Sequence, residues 1–310
     1  MRIQITQKFR PFSHRPGINC LIPFTTWEVQ VFPAKIFFRN LENDEEKCEE
    51  LDIEGPVSGF TVVQDLERGR VEVFGRGKKG YFRYFIDADS RPFLKKKTLS
   101  LSKKRLFMGI HKKQDWEMIQ RRFNMVEIFP FWIRMAQLVP EIPLPKKPAG
   151  TLKLLQDGQL DLLFAAAFQG ILSPRLRDEN FLGLIPDIPI PQNISPLGIL
   201  HEGARQIEKL FFTTENDQWH FLPSLPKEFH AGRYIYLETP EGDQLDIEWS
   251  KKELKKVIIR PAKTRTISLI LKRGLKTFRF RKSIRQKGER GSKTVDLQEG
   301  QTLYLDRFMK

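Results

Sequence analysis

Cysteine is almost missing from this 310-residue chain: Cys20 and Cys48 are the two it has, which excludes a disulfide framework and points to a reducing compartment. Their spacing suits neither metal nor redox work, so no metal and no other cofactor is expected. Long apolar runs are missing as well. Stretches such as Leu162–Phe168 fall far short of the roughly 20 residues that cross a bilayer, so no transmembrane segment is expected. Met1-Arg2-Ile3-Gln4-Ile5 alternates like a strand and has no signal-peptide core, which makes the cytoplasm the expected location. There is no internal repeat and no low-complexity tract. With 40% apolar residues the chain is a folded one that can bury one large core or two to three small ones.

Acidic residues are scarce at the C-terminal end. From Lys251 onward, 19 Lys and Arg face 5 Asp and Glu, so about +14 of the net charge of +15 sits in the last sixty residues. The charges alternate with apolar positions, as in Thr277-Phe278-Arg279-Phe280-Arg281, the pattern of a strand with one wet face. A solvated basic sheet face is the leading expectation, with an anion-binding or acidic-partner face as its competitor. Zinc-finger spacing, a helix-turn-helix signal and an RNP-type aromatic run are all missing, which argues against a nucleic-acid partner.

What is present divides into three stretches of different patterning. Residues 1–104 read as an N-terminal β-sandwich, with strands over 2–9, 28–32, 34–38, 60–63, 70–74 and 81–86 and with the acidic run 42–50 as a solvated loop. Residues 105–213 read as a reduced helical domain of four to six helices. Its helical segments are 113–123, 131–138, 160–169 and 196–212, separated by the proline-rich connections 140–148 and 186–196. Residues 214–310 read as a basic C-terminal β-sandwich, with strands near 219–221, 234–237, 245–249, 255–259, 266–271, 277–281 and 302–305. Turns are signalled by Pro240-Glu241-Gly242-Asp243, by Lys272-Arg273-Gly274 and by Lys287-Gly288-Glu289. The fold class is therefore α+β.

The stretch Phe221–Trp249 is the most particular. Its order of Leu222-Pro223-Ser224-Leu225-Pro226, Phe229, Gly232 and Leu245-Asp246-Ile247-Glu248-Trp249 resembles the junction between helical barrel and C-terminal β-domain in fucosidase-type glycoside hydrolases of family ninety-five, which are six-hairpin glycosidase-like. The order β, helical, β is also that family's order, and the resemblance implies a partial α/α-barrel in the middle. The family's catalytic carboxyls project from a barrel of twelve helices, and the central stretch here holds only about a hundred residues. Upstream of the Leu-Pro motif the family carries a run like QIDGNFG. Counting back here lands near Gly198 in SPLGILHEG, where the acid is absent and the nearest one is Glu202.

Glycoside hydrolysis generally needs two carboxyls across the sugar. The candidates are Glu202, Asp178 and Asp115, and the candidate substrate-binding residues are His201, Trp116, Arg175 and His111. Each has a plainer reading. Asp115 suits a helix cap, Asp178 a pair with Arg175 or Arg177, His201 and Glu202 a helix surface, and Trp116 a core. His111 stands before a helix start, where free N–H groups attract anions. The leading expectation is a reduced glycoside-hydrolase-like protein, not catalytic, that binds carbohydrate or a protein partner. An active hydrolase with a rearranged acid pair and an interaction protein with a basic face are the alternatives, and homo-oligomerisation is compatible with each.

Overall fold

The computed structural model of the chain describes residues 2–144, 149–183, 190, 194–271, 274–283 and 285–309. Much of the two proline-rich connections and part of the turn at 272–274 lie outside the described residues. The chain is α+β, with 21 strands and five α-helices among the described residues. It forms two compact units, each discontinuous in sequence. One comprises Lys8–Leu101 and Lys112–Ala204, the other Met1–Gln7, Ser102–His111 and Arg205–Lys310. The stretches 1–104, 105–213 and 214–310 mark changes of patterning, whereas the units are defined by contact.

The first unit carries two four-stranded antiparallel sheets. One runs in the order Phe12–Ser13, Ser58–Asp65, Arg70–Gly77, Gly80–Ile86, and the other is the meander Ile18–Leu21, Trp27–Val31, Lys35–Asn40, Glu46–Glu50. The acidic run is thus partly a strand rather than a loop. Glu46–Glu50 pairs as an edge strand with Lys35–Asn40, and the register sets Glu50 opposite Lys35 and Glu46 opposite Arg39, so opposite charges face each other across the ladder.

The helices are α1 (Trp116–Arg122), α2 (Met125–Ala136), α3 (Leu152–Gln156), α4 (Leu160–Ala167) and α5 (Leu197–Lys209). Asp115 caps α1 by accepting the Met118 N–H at 3.1 Å, and Asn124 caps α2 by accepting the Val126 N–H at 3.0 Å. That second cap starts α2 six residues before the expected 131, with Pro130 inside the helix. Aromatic rings fill the helical interior. Trp132 packs on Phe168 at 4.6 Å and on Phe164 at 6.3 Å, and Trp116 meets Phe131 at 6.1 Å. The Trp132 indole N–H donates to the Leu200 carbonyl at 3.1 Å, so even its polar edge is satisfied. The space among these rings is an apolar core rather than an acid-lined pocket.

The second unit carries a seven-stranded sheet and a four-stranded one. The larger sheet runs Glu289–Gly291, Thr277–Arg281, Leu303–Met309, Glu253–Arg260, Gln244–Ser250, Ala231–Glu238, Arg105–Phe107. One face is core, with Leu245, Ile247, Trp249, Val257, Ile259, Leu303 and Leu305 nearly inaccessible. The intervening residues carry the charge and the polar groups, as period-two alternation requires. Residues 2–9, expected as a strand, form no ladder among the described residues. Their alternation survives because Ile3 packs against Ile235 and Ile258, while the Gln4 carbonyl accepts from Arg233 at 3.0 Å.

Candidate functional site

The residues singled out from the sequence are for the most part held in local structural bonds. Asp115 is the α1 cap. Asp178 is buried, accepts the Gly183 N–H at 2.7 Å, and lies 3.6 Å from Arg175. His201 meets the Pro140 carbonyl through Nε2 at 3.0 Å, and Glu202 is half-buried beside it on α5. Trp116 is fully buried, with its indole N–H on the Gly170 carbonyl, so its ring offers no face to a solute. His111 is exposed and tilts against Phe107 at 4.8 Å. Asp178 and Arg175 are thus brought together, and so is Arg175 with Glu179 at 3.9 Å.

Arg175 also lines a cavity of about 260 Å³, whose lining includes Glu28, Arg39 and Arg177. Glu28 was not singled out by sequence reasoning, since a glutamate alternating with Trp27 and Val29 reads as a wet-face residue. It is 4% exposed and accepts the Ser173 hydroxyl at 2.6 Å. Burial raises its carboxyl above the usual carboxylate range, against the opposing pull of the Ser173 bond and the Arg39 charge.

A larger groove, of about 810 Å³, lies on the polar face of the seven-stranded sheet. Register builds it. Asp246 stands opposite Ile258, and Ile258 opposite Tyr304, so three neighbouring strands contribute one row across the sheet. A bulge between Tyr234 and Leu237 turns Tyr236 into the same groove, where its φ is 54°. The Tyr236 N–H, freed from the ladder, donates to Asp246 Oδ1 at 2.9 Å. Arg260 Nη2 donates to Asp246 Oδ2 at 2.5 Å, and its guanidinium lies 5.4 Å from the Tyr236 ring centre. The Asp246 bond raises the Arg260 pKa further, so the charge is permanent. Arg260 Nη1 is buried and has no hydrogen-bond partner. The floor is apolar, made by Ile3, Ile235 and Ile258, and the walls carry two half-buried tyrosines.

Chemically, Asp246 is tied by two donors and orients Arg260. The groove offers two half-buried tyrosines, a fixed cation and an apolar floor. Further along the same sheet face Asp306 accepts from Arg279 at 2.7 Å and from Arg281 at 2.7 Å, which holds its carboxyl below the usual range. Part of the C-terminal basic charge is thus internally paired, Arg265 included, which is bonded to Asp217 at 2.9 Å and also to Asp243.

Among the described residues no cluster of His, Cys, Asp and Glu suits a metal ion, and no helix is long and apolar enough to cross a membrane. No curated protein matches the chain. The groove's strands fall inside a matched segment: residues 214–305 match the model of the glycoside hydrolase family 95 C-terminal domain, and this part of the chain resembles the C-terminal part of those hydrolases.

Proposed function

We propose that this chain is a glycoside-hydrolase-like protein that binds carbohydrate in the groove of Tyr236, Tyr304 and Arg260 without hydrolysing it. One observation carries the reading: Tyr236, Asp246, Arg260 and Tyr304 fall within residues 214–305 and set two tyrosines beside a guanidinium over an apolar floor, with residues 2–6 lining the rest of the groove. A sugar would lay its C–H face on a tyrosine ring and accept through a hydroxyl oxygen from the Arg260 guanidinium. The non-catalytic part is supported by the acids. Asp246 accepts from the Tyr236 N–H and from Arg260, one donor on each oxygen, and Asp115, Asp178 and Glu202 do not line this groove.

Calorimetry against a panel of neutral oligosaccharides, fucosylated ones included, tests the reading. Binding is expected, and Tyr304→Ala is expected to weaken it by about tenfold, the scale of one aromatic contact. Absence of heat with every sugar would overturn it, and so would release of nitrophenol from p-nitrophenyl glycosides by the purified chain.

A further inference from the structure

The other unit has a polar sheet face of its own. In the sheet led by Phe12–Ser13, every second residue points one way: Val62, Gln64, Val71 and Val73 are fully buried and form the inner side. The alternate positions make the outer side. Register sets Thr61 opposite Phe74, Phe74 opposite Arg83, Val63 opposite Glu72, and Phe12 opposite Val63. These residues line an open groove of about 600 Å³, with Arg10, His14, Tyr81 and Lys113 at its sides.

The charges there do not balance. Glu72, buried at 3% exposure, lies 3.3 Å from Arg10 and 4.0 Å from Arg70, and also contacts Arg83. Arg10 also holds Asp65 at 3.0 Å. Lys113 sits 5.3 Å from the Phe12 ring centre. Arg10, Arg70 and Arg83 thus share Glu72 and Asp65, and of the groove's own lining Arg10, Arg83 and Lys113 stand against Glu72, an excess of two positive charges. A buried carboxylate beneath the guanidiniums fixes them in place, which lowers the entropy lost when they take up a ligand. Tyr81, 63% exposed on this face, presents most of its surface to solvent.

We propose that this outer face is a binding site for an acidic oligosaccharide, whose uronate carboxylates pair with Arg83, Arg10 and Lys113 while one sugar ring lies on Tyr81. Guanidinium groups match carboxylates in a two-bond fork, and an aromatic ring matches the C–H face of a pyranose. The groove volume suits an oligomer of a few sugars. The assignment rests on the reading of the chain as a carbohydrate binder, and it adds a second site with a different sugar class.

The probe is trigalacturonate, titrated into the full chain by calorimetry beside the neutral panel. Binding is expected to weaken as salt rises, because the groove is open and its cations are partly exposed. Tyr81→Ala is expected to reduce affinity about tenfold and Lys113→Ala several-fold, while Tyr304→Ala leaves it unchanged. Tyr81 is a surface residue, so its truncation keeps the fold, which the unfolding midpoint checks. Lack of trigalacturonate binding, or indifference to Tyr81→Ala in a folded variant, would overturn the site. A single-stranded oligonucleotide that binds more tightly than trigalacturonate at equal salt would overturn the ligand class. Neutral sugars failing while trigalacturonate binds in a Tyr81-dependent way would sink the first groove and leave this one.

Discussion

At the residue scale, Glu28 shows what a sequence hides. On Trp27–Val31 its neighbours in register are Leu21 and Arg39, which suggests an ordinary cross-strand ion pair. Instead Arg39 bonds Asp44 at 2.9 Å, and Glu28 is left to Ser173 in a buried position. Its folded pKa lies above its unfolded one, so the folded state holds the proton more tightly. Stability is therefore lost as pH rises from about 4.5 through the folded value, and is fully present below that window. Glu28→Gln keeps an oxygen for the Ser173 hydroxyl and removes the titration. The expected result is equal stability at pH 4 and higher stability of the variant at pH 8, read by urea unfolding. A variant less stable at pH 8 would show that Glu28 is charged in the fold. No signal in the linear sequence marks Glu28, because Ser173 reaches it only through tertiary packing.

Elements were more legible than residues. The strands expected at 234–237, 245–249, 255–259 and 277–281 all lie within observed ones, since period-two alternation with one apolar face leaves little freedom of register. What failed did so where partners decide. Residues 2–9 alternate but have no neighbour to form a ladder with, and α2 begins at a cap that helical spacing does not reveal. The Phe221–Trp249 motif now has a mechanical meaning. Gly232 stands opposite Trp249 across the strand pair, and the indole lies over the space a side chain would take. Trp249 then packs on Phe211 at 5.1 Å and donates to the Phe229 carbonyl at 3.2 Å, so Phe229, Gly232 and Trp249 are one joint. Gly232→Ala would place its Cβ against the indole and 2.6 Å from the Phe107 carbonyl oxygen, which is backbone and yields little. A loss of about 1–3 kcal/mol is expected from overpacking. Thermal unfolding measures it, and an unchanged midpoint would mean that the strands shift freely.

For the whole molecule, charge is the property most easily misread. The formal balance sends attention to the last sixty residues, yet Arg260, Arg265, Arg279 and Arg281 there are bonded to Asp246, Asp243 and Asp306. The first 250 residues are nearly neutral in sum, and they contain the groove lined by Arg10, Arg83 and Lys113 against Glu72. Net charge controls weak, long-range attraction, whereas a site needs charges fixed in one place with their counterions absent. The two separate cleanly in one comparison. Lys251, Lys263, Lys287 and Lys293 are exposed, and their joint replacement by Gln removes four charges from the tail. Retention on a cation exchanger is expected to fall markedly, because the column reads total charge. Trigalacturonate affinity at 150 mM salt is expected to change less than about twofold, since screening at that strength confines each charge to about 8 Å. Replacing Tyr81 by Ala should do the opposite, leaving retention intact and lowering affinity. Should the lysine variant lose both together, the acidic ligand is held by the tail's overall field, and the sheet groove is only a part of that field.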